Sequence, residues 1–333
     1  MKLLFVFTGG TIGSTRQGEY VAPNQESPYL LLEAYRARYG ITFSYDCVSP
    51  YSILSEQSTG ESLHRLCACV AAHKNGGYDG IIVAHGTDTL QYTAAALSYA
   101  FSDTFVPICI VSSNHPIATP SANGLDNLRC AVRFIGEVGA PGVFVCYRNG
   151  GEPARVHRAS RLLASQAFSD RVESIGGVEY GSFTEEEGFS KNPLYAELPD
   201  AMPALGVLPL EASCAAVLRV QPYPGMCYPA LSDETCYILH ESYHCGTLNT
   251  ESREAVAFFA AARERGIPVF LTGADAAMPY ASKRVFSALG IRQICGIAPI
   301  AAFVKLWMLH TADPTGRITE KQLQASLAGD RMP

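Results

Sequence analysis

Charge is scarce in this chain of 333 residues. Only 17% of its residues are charged, against about a quarter in ordinary globular domains. No run of five or more like charges occurs, and 25 Lys and Arg against 31 Asp and Glu leave a net charge of −6. A nucleic-acid binder needs a basic face to neutralise phosphates, so this balance argues against that class. Disorder requires low hydrophobicity with high charge, which 48% hydrophobic residues rule out. No stretch approaches the roughly 18 consecutive apolar residues of a membrane-spanning helix. The opening MKLLFVFTGG carries one lysine and an apolar run too short for a secretory leader, with no small-residue cleavage site. There is no CxxC pair; Cys67 and Cys69 form a CxC, a poor spacing for zinc. The 11 cysteines are odd in number and scattered from Cys47 to Cys295, many in apolar stretches such as PICIV and GVFVC. They read as reduced, buried thiols rather than a disulfide framework. The expectation is a cytoplasmic protein with no membrane or nucleic-acid partner.

At about 150 residues per domain the length predicts two domains. KLLFVF is a short apolar run ending in TGGTIGS, a buried strand feeding a glycine turn. Helices are predicted over SPYLLLEAYRARYG, ended by Gly40, and over GESLHRLCACVAAHKNGG, closed by Gly76 and Gly77. ITFSYDCVS, YDGIIVAHGTDTL, VPICIVSS and GVFVCY read as strands; QYTAAALSYAF and NGLDNLRCAVRFIGE read as helices. This alternation predicts a doubly wound, parallel α/β sheet. The segment from Thr184 to Ser213, rich in Pro and Glu and without period, reads as a linker. Beyond it AAVLRVQPY, CYILHES and IPVFLTG are strands. ESREAVAFFAAARERG, a stretch near SKRVFSALG and APIAAFVKLWMLH are helices of a smaller α/β domain. The predicted division is 1–190 for the larger domain, 191–213 for the linker and 214–333 for the smaller domain.

Open α/β sheets bind ligands beyond the carboxyl ends of their strands. Two segments at such ends place threonine beside glycine: TGGTIGS, Thr8 to Ser14, and HGTDT, His85 to Thr89. Glycines let backbone approach a ligand and present N–H donors. A threonine hydroxyl there can be a nucleophile, and nearby N–H groups can hold an oxyanion. Gly9, Gly10 and Gly13 do not spell G-x-G-x-x-G, and no P-loop lysine follows, so nucleotide binding is not indicated.

Together the two motifs resemble the L-asparaginase family, and its cytosolic branch in particular. Tyr20 soon after the first motif, GIPVFLTG and AAFVKLWML extend the similarity over most of the chain. The resemblance implies that Thr11 is the nucleophile, activated by Tyr20. It implies that Thr87 assists the attack or the water, and that Asp88 holds the substrate's α-amino group. Ser55 in SILSEQS would bind the α-carboxylate, beside Gly10, Gly86 and Glu56. Asn249 in HCGTLN matches an asparagine that the family lends to a neighbouring subunit, which implies a homodimer or homotetramer. An alcohol of high pKa needs a base, a carboxylate can grip an ammonium, and an amide oxygen needs donors, so these roles are chemically coherent. The implied reaction is hydrolysis of L-asparagine, and L-glutamine as a second candidate, with no metal or organic cofactor.

Three departures stand out. The family's lysine beside the second threonine falls in RVHRAS, where Arg158 is the best match, with Arg155 and His157 nearby. A guanidinium cannot take a proton, but it can act as a fixed charge. Glu56 stands where the family often has a neutral residue; it would repel a carboxylate and attract an ammonium. NGLDN at Asn123 replaces an Asp-Gly. No match is found for the glutamate that periplasmic members supply across their dimer. Rival readings are an impaired or repurposed amino-acid-binding member, and the amidase subunit that frees ammonia for tRNA-dependent transamidation. Against the latter, it carries an added N-terminal domain, whereas the first strand here begins at Lys2. A third is a zinc peptidase, because His240 to His244 spell H-E-x-x-H. CYILH reads as a strand and Cys245-Gly246 breaks any helix, so the two histidines do not share a helical face. His85 is read as structural, and Lys305 as snorkelling from an apolar helix or capping an interface.

Overall fold

A computed structural model describes residues 1–10, 12, 14–17, 20–23, 27–274 and 280–333, with backbone alone for 14–17, 20–23, 27–29 and 274. Its larger sheet begins with β1 (Lys2–Phe7), followed by a hairpin of β2 (Ser14–Gln17) and β3 (Tyr20–Pro23). Then come α1 (Ser27–Tyr39), β4 (Ser44–Val48), α2 (Gly60–His73), β5 (Gly80–Ala84), α3 (Leu90–Ala100), β6 (Pro107–Val111), α4 (Gly124–Glu137) and β7 (Gly142–Arg148). β8 (Ala154–Arg158), β9 (Gly181–Thr184) and β10 (Gly188–Lys191) complete it. The strand order is β10-β9-β8-β7-β6-β5-β1-β4. β4, β1, β5, β6 and β7 are mutually parallel, while β8, β9 and β10 extend the edge in antiparallel pairs.

The fully buried strands β5 and β6 explain why their sequences are apolar without alternation: both faces are covered. Along β1, Leu4 and Val6 join the core under α2 and α3, and Leu3, Phe5 and Phe7 join the core under α1 and α4. The smaller sheet is all parallel, in the order β11 (Val217–Val220), β12 (Tyr237–Glu241), β13 (Val269–Ala274), β14 (Ile291–Cys295). α5 (Arg253–Glu264) covers one face, and α6 (Pro299–Ala312) covers the other, packing also on α3; α7 (Glu320–Gln324) follows. Period-2 burial is visible in β12, where Tyr237 and Leu239 share the core with α6 and Ile238 the core with α5.

The structure departs from four expectations. Part of the presumed linker is the β9–β10 hairpin, and Tyr195 and Leu208 within the rest are buried, so this segment packs instead of spanning. The SKRVFSALG helix is a single 3₁₀ stretch, Ala281–Val285. Lys305 does not snorkel: it is fully buried, with Nζ 2.7 Å from Asp330 Oδ2. Of the cysteines, Cys67, Cys109, Cys130 and Cys146 are buried, but Cys47, Cys214, Cys227, Cys236 and Cys245 are exposed; all are free thiols. Among the described residues no helix is long and apolar enough to cross a membrane.

Candidate active site

The order β4-β1-β5 places a topological switch between β1 and β5. The chain leaves β1 to form a strand on one side and returns to form β5 on the other. Such a point opens a crevice at the carboxyl ends of the two strands. Thr8 to Gly10 follow β1, and His85 to Thr89 follow β5, so both threonine–glycine segments flank it.

A third segment, Ile53 to Ser58, binds the other two together. Gly10 N donates to Ile53 O at 2.9 Å, and Ile53 N donates to Thr8 O at 3.1 Å. Thr8 Oγ1 donates to Ala84 O at 2.9 Å, tying β1 to β5 below the crevice. Ser55 is buried; its Oγ donates to Asp88 Oδ2 at 2.9 Å and accepts from Asp88 N at 3.2 Å. Asp88 is exposed, and the reciprocal pair uses only its Oδ2 and its amide, so a carboxylate is available at this point for a cation. Thr87 is half-buried, and its hydroxyl has no hydrogen-bond partner among the described residues. Glu56 is exposed, next to Ser55 on a 3₁₀ turn. Gly10 and Gly86 pack backbone on backbone beneath these groups.

His85 lies under the loop and is 2% exposed. Nδ1 sits 2.8 Å from Gly86 O and Nε2 2.9 Å from Thr93 Oγ1. Burial pushes its pKa down, against the opposing pull of the Gly86 carbonyl and the Asp88 charge, so it is a neutral support.

The remaining expected residues fall elsewhere. Thr11 lies outside the described residues, and Tyr20 is described by its backbone in β3 only. Arg158 is not beside Thr87 and Asp88. β8 runs antiparallel to β7 and sets Arg158 opposite Phe144, near the amino ends of the parallel strands; Thr87 and Asp88 lie beyond their carboxyl ends. There its guanidinium pairs with Glu197 at 2.8 Å, donates to Ala328 O at 3.1 Å and stacks over Phe144. Asn249 belongs to the smaller domain, where Oδ1 accepts from Glu251 N and Ser252 N ahead of α5. Among the described residues no hydrogen bond joins it to the Ser55–Asp88 pair. Asn249 lines a cavity of about 240 Å³ with Tyr223, Tyr228 and Tyr243. A cavity of about 660 Å³ at the ends of β12, β13 and β14, lined by Glu241, Ser242 and Gly273, contains neither Ser55 nor Asp88. The polar groups of the three loops converge at the switch point and line neither of these cavities. The H-E-x-x-H stretch ends strand β12, and His240 is buried with Nδ1 2.6 Å from Glu241 O and Nε2 3.2 Å from Tyr228 OH. No group of three or more His, Cys, Asp or Glu among the described residues is arranged to hold a metal ion.

Motif reading does not single out Thr89 or Gln91. Thr89 Oγ1 donates to Ser55 O at 2.9 Å, and Gln91 Nε2 donates to Ser165 Oγ at 2.6 Å. Thr89 sits in the HGTDT motif, but its partner depends on a segment more than thirty residues away.

Residues 2–187 match the family described as Asparaginase, N-terminal. The chain is 33% identical over 163 residues to an L-asparaginase of Thermococcus kodakarensis, covering 47% of this chain and 48% of that one. It is 34% identical over 147 residues to one subunit of a glutamyl-tRNA(Gln) amidotransferase from Haloquadratum walsbyi, covering 42% and 33%. The chain thus spans about a third to a half of the length of these curated relatives. The solved thermostable L-asparaginase from Thermococcus kodakarensis superposes with a TM-score of 0.78 at 22% identity, covering 100% of both chains. With a family match over more than half its length, and this two-sheet fold, the chain belongs to the asparaginase family.

Proposed function

We propose that the protein hydrolyses L-asparagine to L-aspartate and ammonia. The observation that carries this reading is the Ser55–Asp88 pair, set between two threonine–glycine loops at the β1/β5 switch point in a chain of this family. In the proposed sequence Thr11 Oγ attacks the side-chain amide carbon, and its proton passes to Tyr20. Backbone N–H groups of the glycine segments stabilise the oxyanion. The C–N bond breaks as the leaving nitrogen takes a proton and departs as ammonia. Water, aided by Thr87, then cleaves the ester and releases the carboxylate. Asp88 takes the α-ammonium and Ser55 the α-carboxylate. Glu56 adds a second negative charge at the rim and disfavours substrates with an extra carboxylate there. No metal or organic cofactor enters. The assembly is proposed to be a homodimer or homotetramer in which Asn249 of one copy serves the next, in the cytoplasm.

A second reading is a slow or repurposed member that binds an amino acid. It is favoured by the position of Arg158, which pairs with Glu197 instead of standing beside Thr87. Relatives named as part of an amidotransferase also make the fate of the ammonia part of the question.

A coupled ammonia assay with L-asparagine, L-glutamine and simple amides tests the reading. L-Asparagine should be turned over fastest. Thr11→Ala and Thr87→Ala should each lower kcat by orders of magnitude with folding intact. Full ammonia release by either folded variant would refute the assignment, and aspartate binding without turnover by the wild type would favour the second reading.

A further inference from the structure

Thr89 occupies the N-cap position of α3, where a threonine ordinarily accepts a hydrogen bond from a backbone N–H in the first helical turn. It makes no such bond. Instead, Oγ1 donates to Ser55 O at 2.9 Å and lies 3.1 Å from Ser58 Oγ. A capping bond ordinarily stabilises a helix start, so the local use of this hydroxyl has given way to a long-range one. The long-range partner is the same residue whose Oγ bonds Asp88 in both directions.

We infer that Thr89 is a positioning residue that clamps the Ser55 turn onto the loop after β5 and so sets the geometry of the Ser55–Asp88 pair. The physical argument is one of constraint. Ser55 lies on a 3₁₀ turn of three residues, too short to hold its own orientation. The Ser55 side chain is anchored to Asp88, and its main chain is anchored to Thr89; both anchors come from adjacent residues of one loop. Two bonds to successive residues fix both the position and the rotation of Ser55. Without the Thr89 bond the turn is held to this loop through the Ser55 side chain alone, and the tie of Ile53 to Thr8 and Gly10 acts two residues upstream. The same loop starts α3, which is buried at every position but Tyr92, so the clamp refers the Ser55 turn to a rigid element. This deepens the proposed function and rests on it only for the catalytic consequence. The Ser55 and Asp88 groups grip the ends of the substrate remote from the reacting amide, so a loosened clamp acts on binding more than on chemistry.

Two variants of the full chain test the inference. Thr89→Val keeps the branched shape and removes the hydroxyl, whereas Thr89→Ser keeps the hydroxyl. The first measurement is amide hydrogen exchange in the ligand-free protein, which needs no assumption about activity. The Asp88 amide should exchange at least about fivefold faster in Thr89→Val than in the wild type and be restored in Thr89→Ser, while Leu97 within α3 stays unchanged. The second is the kinetics of L-asparagine hydrolysis: KM should rise about tenfold in Thr89→Val with kcat altered by less than about threefold, and Thr89→Ser should lie near the wild type. Unchanged Asp88 exchange in folded Thr89→Val overturns the clamp, as does a fall in kcat at constant KM. If Thr89→Val does not fold, Thr89→Ala and Thr89→Ser are compared in the same exchange measurement: faster Asp88 exchange in Thr89→Ala than in Thr89→Ser supports the clamp, and equal exchange in the two overturns it. A wild type that releases no ammonia defeats the proposed function and leaves the exchange result to decide the clamp.

Discussion

Gly10 and Gly86 meet backbone to backbone: a Cβ built on Gly10 would lie 2.4 Å from both N and Cα of Gly86. Gly10 also has φ +74°, a region that L side chains seldom adopt. A Cβ on Gly86 would lie 2.5 Å from Ser55 Oγ and 3.2 Å from Gly10 Cα. The three loops of the candidate site are therefore stacked through two residues that have no side chain, and the Ser55–Asp88 pair rests on the stack.

Gly86→Ala is expected to push Ser55 Oγ off Asp88, because the serine hydroxyl is the nearest atom to the added methyl. Turnover should fall by at least about 100-fold, the loss seen when substrate groups are misplaced by about an ångström. Gly10→Ala meets backbone and a left-handed φ together, so it should also lose about 1–3 kcal/mol of stability. Ammonia release and urea unfolding measure the two effects. Wild-type kinetics in folded Gly86→Ala would show that the stack does not set the site.

Arg158→Ala should change stability and not rate. The substitution leaves Glu197 without its cation and removes one of the donors to Ala328 O, at a site where the arginine is 8% exposed. Hydrogen bonds involving a charged group contribute about 1.5–3 kcal/mol, so the urea midpoint should drop accordingly. The kcat for L-asparagine should stay within about a factor of two. A large loss of kcat with unchanged stability would return Arg158 to the catalytic machinery.

His157 predicts an acid limb of stability. It is fully buried, Nδ1 lies 2.9 Å from Ser174 Oγ, and Nε2 has no hydrogen-bond partner among the described residues. Burial, and secondarily the Arg155 charge, push its pKa from 6.5 down to about 3. The folded state therefore stays neutral while the unfolded chain binds a proton. The unfolded state binds more protons between these two values, so stability is full above pH 6.5 and is lost as pH falls toward 3. The slope from this residue is about 1.4 kcal/mol per pH unit. His157→Asn should flatten the curve of unfolding free energy against pH over this window, and an unchanged slope would contradict it. His85 and His240 are shifted in the same direction and add to the wild-type slope.

The ion pair of Lys305 and Asp330 should be costly to break and cheap to replace. Both side chains are fully buried, and Tyr99 OH donates to the same carboxylate oxygen at 3.1 Å. Asp330→Asn leaves a buried ammonium without its counter-charge, and the expected loss is about 3–5 kcal/mol. The double variant Lys305→Met with Asp330→Leu should recover most of it, because the desolvation of two ions is removed with the pair. Calorimetry on the three proteins measures this; a double variant no better than the single would show that the charges stabilise the fold outright.

Much of this molecule is local, and the local part is legible. β1 and β5 are apolar runs that end in glycine and threonine, so their type, their burial and the loops after them follow from the order of residues. Ser55, Thr87 and Asp88 could be named from motifs because each motif lies on one continuous loop. Arg158 could not be placed this way. Its location depends on the reversal between β7 and β8, and the antiparallel register carries it to the far end of the sheet. Glycine and proline mark such a turn without fixing which neighbours pair across it.

The order of residues was enough for the α/β class, for the strands and helices with a clear period, and for the two loops that carry the threonines. Each of these rests on contacts between residues close in the chain, or on a one-dimensional pattern of burial. Which groups share a site was settled by long-range packing. It brought Ser55 to Asp88 and Thr89, sent Arg158 to Glu197, and buried Lys305 against Asp330. These pairings are set by strand order, register and the packing of α3 on α6, none of which has a signature at any single position.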